Sequence, residues 1–414
     1  MSILNIRAFV AVVATSLLAA CGGGGSSPNV AVTATPSTPS APTPTPTPTP
    51  QPQLGWSQTA GLQAARLSHT ATLLADGRVL VAGGYSTTYL PDNPNHFLST
   101  ATNNAELYDP TTKLWSPGGT LAVARTYHTS TLLPNGKVLV VGGLSSKASS
   151  SNELYDPVNN SWTLAGNQIP MRYGHTATLL PNGLVMVAGG IGYTLNPTEF
   201  AAPGLNSVLL YDPSTDVWTD GGTLVSIRAF HTSTLLTNGK VLLSGGAYQG
   251  QPADVELYDP SAKSSVAVGG SIKRALSGSA TLLSSGSVLF VGSGSSPAAS
   301  ALYNPTTNIW TDAGILSKSH VWHTATALTN GTVLVVGGDD YTNGVGSNAT
   351  DVCEQYDPAT NNWSIVDPII VGPRLRHTTT LLPSGALLVV GGTASQNRYG
   401  SLDTASAAAA LYNY

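Results

Sequence analysis

The feature that most constrains this chain is a sentence it repeats seven times. A His is followed 14 residues later by a Gly at His69/Gly83, His128/Gly142, His175/Gly189, His231/Gly245, His323/Gly337 and His377/Gly391. The fifth copy keeps the step but has Gly278 in place of the His, with Gly292 after it. The mean period is about 51 residues, within the range of stacked supersecondary repeats. One unit of this size cannot bury its own apolar face, so seven copies must pack on one another.

Each copy reads as four strands. The first alternates polar and apolar residues, as in His128-Thr-Ser-Thr-Leu-Leu, and ends at an Asn-Gly, Asp-Gly or Ser-Gly turn, a hairpin signal. The second is a β-branched and Leu run such as Val138–Val141, as expected where both faces are buried, and it stops at a Gly-Gly doublet. The third ends in Tyr-Asp-Pro or a near relative, with Tyr at 108, 155, 211, 258, 303, 356 and 412; Pro cannot donate to a ladder. Seven residues after the Tyr stands Trp115, Trp162, Trp218, Trp310 or Trp363 on the fourth strand; the fourth copy has Ser265.

Four-stranded sheets set radially around a channel bury both faces of every unit. The doublet, the Tyr-Asp-Pro and the Trp at these spacings resemble the kelch repeat of β-propellers, and the resemblance covers residues 54–414. The expected fold is all-β, a seven-bladed kelch-type propeller. Its last blade would be closed from the front of the chain. The final copy, through Tyr414, holds no Trp strand, whereas Trp56 stands alone 13 residues before His69.

Residues 1–20 read as a lipoprotein signal peptide: Arg7 is the one early charge, and the apolar stretch is too short for an ordinary membrane span. Leu18-Ala19-Ala20-Cys21 resembles a bacterial lipobox, which implies a lipidated Cys21. Gly22 follows it instead of the Asp tied to inner-membrane retention, so the resemblance points to an outer-membrane lipoprotein, facing the periplasm or the cell surface. Residues 21–53 are then a Gly/Ser/Thr/Pro linker, expected to be disordered or extended and to form no core. The other cysteine, Cys353, reads as a small buried hydrophobe.

Charged residues make up 9 % of the chain and the net charge is −4, which gives no electrostatic case for a nucleic-acid partner. The interval from doublet to Tyr swings between 11 and 25 residues while the other spacings barely move. Binding residues concentrate on variable loops over a rigid scaffold, so the face carrying these loops is the expected functional face. Tyr89 and Tyr341 lie in them; Tyr127, Tyr173, Phe230 and Trp322 stand in the two positions before the repeated His. Such rings suit sugars. Three residues before the His come Arg66, Arg125, Arg172, Arg228 and Arg374, with His320 in the sixth copy. These six either line the entrance as an anion-binding ring or pair with Glu106, Glu153, Glu256 and Glu354. Copies three and seven lack that Glu, so Arg172 and Arg374 are the two expected to be free.

The six histidines recur at one scaffold position, which reads as architecture; no metal site, cofactor or catalytic residue is assigned. Asp339, Asp340 and Asp351 form the one acidic cluster. The kelch resemblance also implies two enzymatic alternatives, a sugar mutarotase and a copper-radical oxidase. No motif matches the first, and the second needs a Tyr–Cys crosslink that Cys353, on a third strand, does not suit. The reading is a monomeric, membrane-anchored, non-catalytic propeller that binds a glycan or a protein through its long loops.

Overall fold

The computed structural model describes residues 54–90, 93–144, 151–192, 203–248, 251–252, 254–269, 278–292, 298–340, 348–393 and 405–414. Residues 1–53, with the signal, Cys21 and the linker, lie outside that set, as does Tyr341. Every regular element among the described residues is a strand.

The strands form seven antiparallel four-stranded blades. The first blade is Thr70–Leu73, Val79–Ala82, Asn104–Asp109 and Leu114–Thr120. The next five repeat this order along the chain. The outer strands of the third and fourth blades also touch through one parallel pair, Thr223 with Ser264. The seventh blade is composite: Thr378–Leu381, Leu387–Val390 and Ala409–Asn413 are completed by Gly55–Gln58, with Trp56 opposite Tyr412.

The second strands sit where their composition places them. Val79 and Val81 pack with Leu388 and Val390 of the seventh blade, while Leu80 and Ala82 pack with Val138 and Val140 of the second. Period-two alternation thus sends successive residues into two different cores, and both faces must be apolar. Burying a Val or Leu side chain contributes roughly 1.5–3 kcal/mol.

The turn after the first strand is wider than a two-residue hairpin. In the second blade Gly136 N–H returns to Leu133 C=O at 2.9 Å and Leu133 N–H donates to Lys137 C=O at 2.8 Å. Gly136, at φ 81°, takes the left-handed position. The variable intervals also hold structure of their own. Tyr85–Leu90 pairs with Asn93–Ala101, and Ala247–Tyr248, Asp339–Asp340 and Arg172–Tyr173 each join a short two-stranded sheet. Tyr-Ser-Thr-Thr-Tyr-Leu is rich in β-formers and alternates, which is why a segment expected as loop forms a ribbon.

Candidate functional site

The repeated motif is the joint between blades. In five of the copies the second Gly of the doublet donates its N–H to the carbonyl of the motif Arg entering the next blade: Gly84 to Arg125, Gly143 to Arg172, Gly190 to Arg228 and Gly338 to Arg374 at 2.8 Å, and Gly392 to Arg66 at 2.9 Å, which joins the seventh blade to the first. The first Gly lies so close under the joint that a Cβ on Gly142 would sit 2.4 Å from Arg172 O. Only glycine fits there.

The Arg side chains are buried wall. Arg66, Arg125 and Arg228 are fully buried and paired to Glu106 (2.6 Å), Glu153 (2.5 Å) and Glu256. Each Glu also accepts N–H groups of the incoming segment, as from Gln63 and Ala122 at 2.7 Å. Breaking such a pair from one side leaves the other charge buried and uncompensated, at about 3–5 kcal/mol.

Arg172 and Arg374, expected to be free, are 1 % exposed. Arg172 reaches Gly189 O at 3.3 Å and the Ser207 carbonyl and hydroxyl. Arg374 reaches Gly391 O at 2.8 Å, Gly372 O at 3.2 Å and Val371 O. Backbone carbonyls satisfy them where the Glu is missing. Burial pulls both guanidinium groups down to about 10, still charged at neutral pH. His320, also buried, occupies the same place, with Nδ1 2.6 Å from Gly337 O and Nε2 2.8 Å from Glu354. The six candidates for an anion-binding ring therefore lie behind the channel wall.

The histidines form a belt across the channel. His128 Nε2 meets Thr70 Oγ1 at 3.0 Å; His175 with Thr129, His231 with Thr176, His377 with Thr324 and His69 with Thr378 are each at 2.9 Å; His323 with Ser279 is at 2.7 Å. The gap falls at Gly278. Burial first, then the nearby arginine, holds His69, His128 and His231 down to about 3; burial and His320 do the same for His323. The belt is neutral at physiological pH.

Above the belt the residues preceding each His bond around the mouth: Ser68 N–H to Arg376 C=O (3.1 Å), Gly174 to Tyr127 (3.2 Å), Phe230 to Gly174 (2.7 Å) and Arg376 to Trp322 (3.2 Å). This geometry needs positive φ at Ser68, Tyr127, Gly174, Phe230, Trp322 and Arg376, between 51° and 62°. Bulky residues there carry strain of order 1 kcal/mol each. Their side chains line a cavity of about 320 Å³ over the histidines. Phe230 joins the rings of the wall, edge-on to Tyr127 (5.6 Å between centroids), Trp322 (5.8 Å) and Tyr173 (6.2 Å). Below the belt lies a second cavity of about 360 Å³, walled by hydroxyls that include Thr70, Thr129 and Ser130.

Of the sequence candidates, the structure gathers Tyr127, Phe230 and Trp322 at the mouth, with Tyr173 against Phe230. Tyr89 lies on the Tyr85–Leu90 ribbon, and its side chain is outside the described set. Arg376 was not a candidate, yet the offset that picks out Tyr127, Phe230 and Trp322 gives it in the seventh copy.

Asp340 is ion-paired with Lys318 at 2.8 Å, and no group of three or more His, Cys, Asp or Glu able to hold a metal occurs among the described residues. A copper centre does not fit the mouth. The histidine Nε2 atoms are committed to hydroxyls, and Cys353, fully buried on the Cys353–Asp357 strand, has its thiol pushed up to about 12 by burial.

The model of the KLHDC2/KLHL20/DRC7 kelch-repeats domain matches residues 53–246, and that of the kelch motif matches residues 323–368. The chain is a kelch-repeat protein. It resembles a solved structure described as a novel fungal alcohol oxidase with catalytic diversity among the AA5 family, in complex with copper. The two share 18 % identity over 87 % of this chain and 76 % of that one, with a TM-score of 0.63. At that identity the likeness is one of fold. No curated protein matches the sequence.

Proposed function

We infer that the protein is a binding module, held to a membrane by a lipid on Cys21, that takes a glycan in the mouth of its channel. The observation that carries this reading is the cavity itself. It has about 320 Å³, three half-buried rings in its wall and two runs of interblade backbone bonds, Trp322–Arg376–Ser68 and Tyr127–Gly174–Phe230, fixing them. Rigid aromatic faces present a large apolar area at little entropic cost on binding, which suits the C–H faces of a pyranose. The volume is at the small end for small-molecule sites, enough for one or two sugar units.

A glycan array followed by calorimetry tests the reading. Phe230→Ala should weaken the best array ligand at least tenfold with the protein still folded; a ligand indifferent to Phe230 and Trp322 places the site elsewhere. Palmitate labelling of cells should mark the chain and vanish in Cys21→Ser; persistent labelling in the variant removes the proposed attachment point.

A further inference from the structure

Among the described residues Arg376 is the one cation lining the mouth besides the histidines, and none of their carboxylates is paired with it. It stands directly before His377, half-buried. Its Nη1 donates to Tyr85 Oη at 2.9 Å and Tyr127 Oη at 2.7 Å. Its Cζ lies 4.9 Å from the centroid of Trp322 and 5.9 Å from that of Tyr127. Its Nε is buried without an acceptor. Among the described residues no Asp or Glu forms an ion pair with it, whereas Arg66, Arg125 and Arg228 each have a Glu. Burial, with Tyr127 next to it, raises the Tyr85 phenol well above its ordinary value, so Tyr85 stays neutral and supplies no charge.

The histidines beneath are neutral as well, so no described residue compensates the guanidinium that faces the cavity. It is clamped by two phenols and stacked on an indole, so little freedom remains to be lost on binding. Nη1 is taken by the two phenols and Nε is buried, so Nη2 is the group left to donate to a carboxylate, a charge-assisted bond. Phe230 and Trp322 stand in the same wall. We propose that Arg376 anchors the carboxylate of an acidic saccharide in the channel mouth, with the sugar ring against Phe230 and Trp322. An acidic peptide would offer the same charge but no ring for the aromatic faces, so the saccharide is the occupant these residues favour. The proposal rests on the binding-module reading and adds the ligand's charge and the residue that reads it.

Calorimetry on the full chain in detergent tests it. The probes are digalacturonate, a glucuronate disaccharide and sialyllactose, with the methyl ester of each as the neutral twin and an acidic tetrapeptide as the competing class. At least one free acid should bind, at least tenfold more tightly than its ester. Arg376→Gln should erase that difference and Arg376→Lys keep part of it. Should Arg376→Gln fail to fold, the acid–ester comparison on the unaltered protein decides alone. Equal affinity for acid and ester overturns the anchor; if that binding is still lost in Phe230→Ala, the binding-module reading stands without it. Tighter binding of the peptide overturns the ligand class. No binding of any acidic saccharide overturns the proposal, and only a glycan array that is also silent removes the broader reading.

Discussion

Acidification from pH 7 to pH 5 is expected to bring the propeller to the edge of unfolding. His69, His128, His231 and His323 are held near 3 in the folded ring, against about 6.5 in an unfolded chain. Folded, they bind fewer protons than unfolded, so stability falls with pH once it drops below about 6.5 and goes on falling towards 3. One pKa unit is about 1.4 kcal/mol, so each histidine forfeits about 2 kcal/mol at pH 5, and the four together about 8 kcal/mol. That is the scale of a whole domain's stability. The arrangement offers a second proton no home: Nδ1 of His69, His175, His231 and His377 is buried without a partner. Arg66, Arg125 and Arg228 beside the belt repel added charge. Thermal melts by circular dichroism across pH 7.5 to 4.5 read this directly. A melting temperature unchanged between pH 7 and pH 5 would show that the belt does not control acid stability.

Deleting residues 54–61 should have a comparable effect by another route. Trp56 is a buried member of the core between the sixth and seventh blades, and its Nε1 donates to Asp367 O at 2.9 Å. Losing a buried Trp costs about 3–5 kcal/mol before any backbone bond is counted. The deletion also strips the Ala409–Asn413 strand of its outer partner and leaves it as an unpaired edge. A fall of about 10 °C or more in melting temperature is expected, together with concentration-dependent association through that edge. Adding the missing strand as a peptide should restore part of the loss. A shortened protein that melts with the intact one would mean that the seventh blade is stable on three strands.

The fold was legible because its determinants are local and repeated. A constant 14-residue step, turn glycines and doubly buried Val/Leu runs each dictate one strand, and the lone Trp56 told where the ring closes. The site was less legible for a physical reason. A residue that recurs at one offset can line the channel or weld the blades, and sequence spacing is the same in both cases. Arg172 and Arg374 illustrate this: without the recurring Glu they looked free, but backbone carbonyls, invisible in a sequence, satisfy them. Arg376 escaped notice for the converse reason. It stands in one copy alone, at an offset that carries Ser68, Gly174 and Ser277 as well as three aromatic residues, so it broke no pattern that the repeat could reveal.

The irregular fifth blade bears on how any ligand lies in the mouth. A perfect seven-fold ring would offer seven equivalent orientations, and a bound molecule would have no defined front. Here the equivalence is broken in the belt, by Gly278 where an imidazole is lacking, and in the rim, by Ser68, Gly174 and above all Arg376 among the aromatic residues. Discrimination between ligands is a difference of affinities, and it needs one pose to prevail. The departures from the repeat give the channel a compass bearing that its architecture alone would not supply.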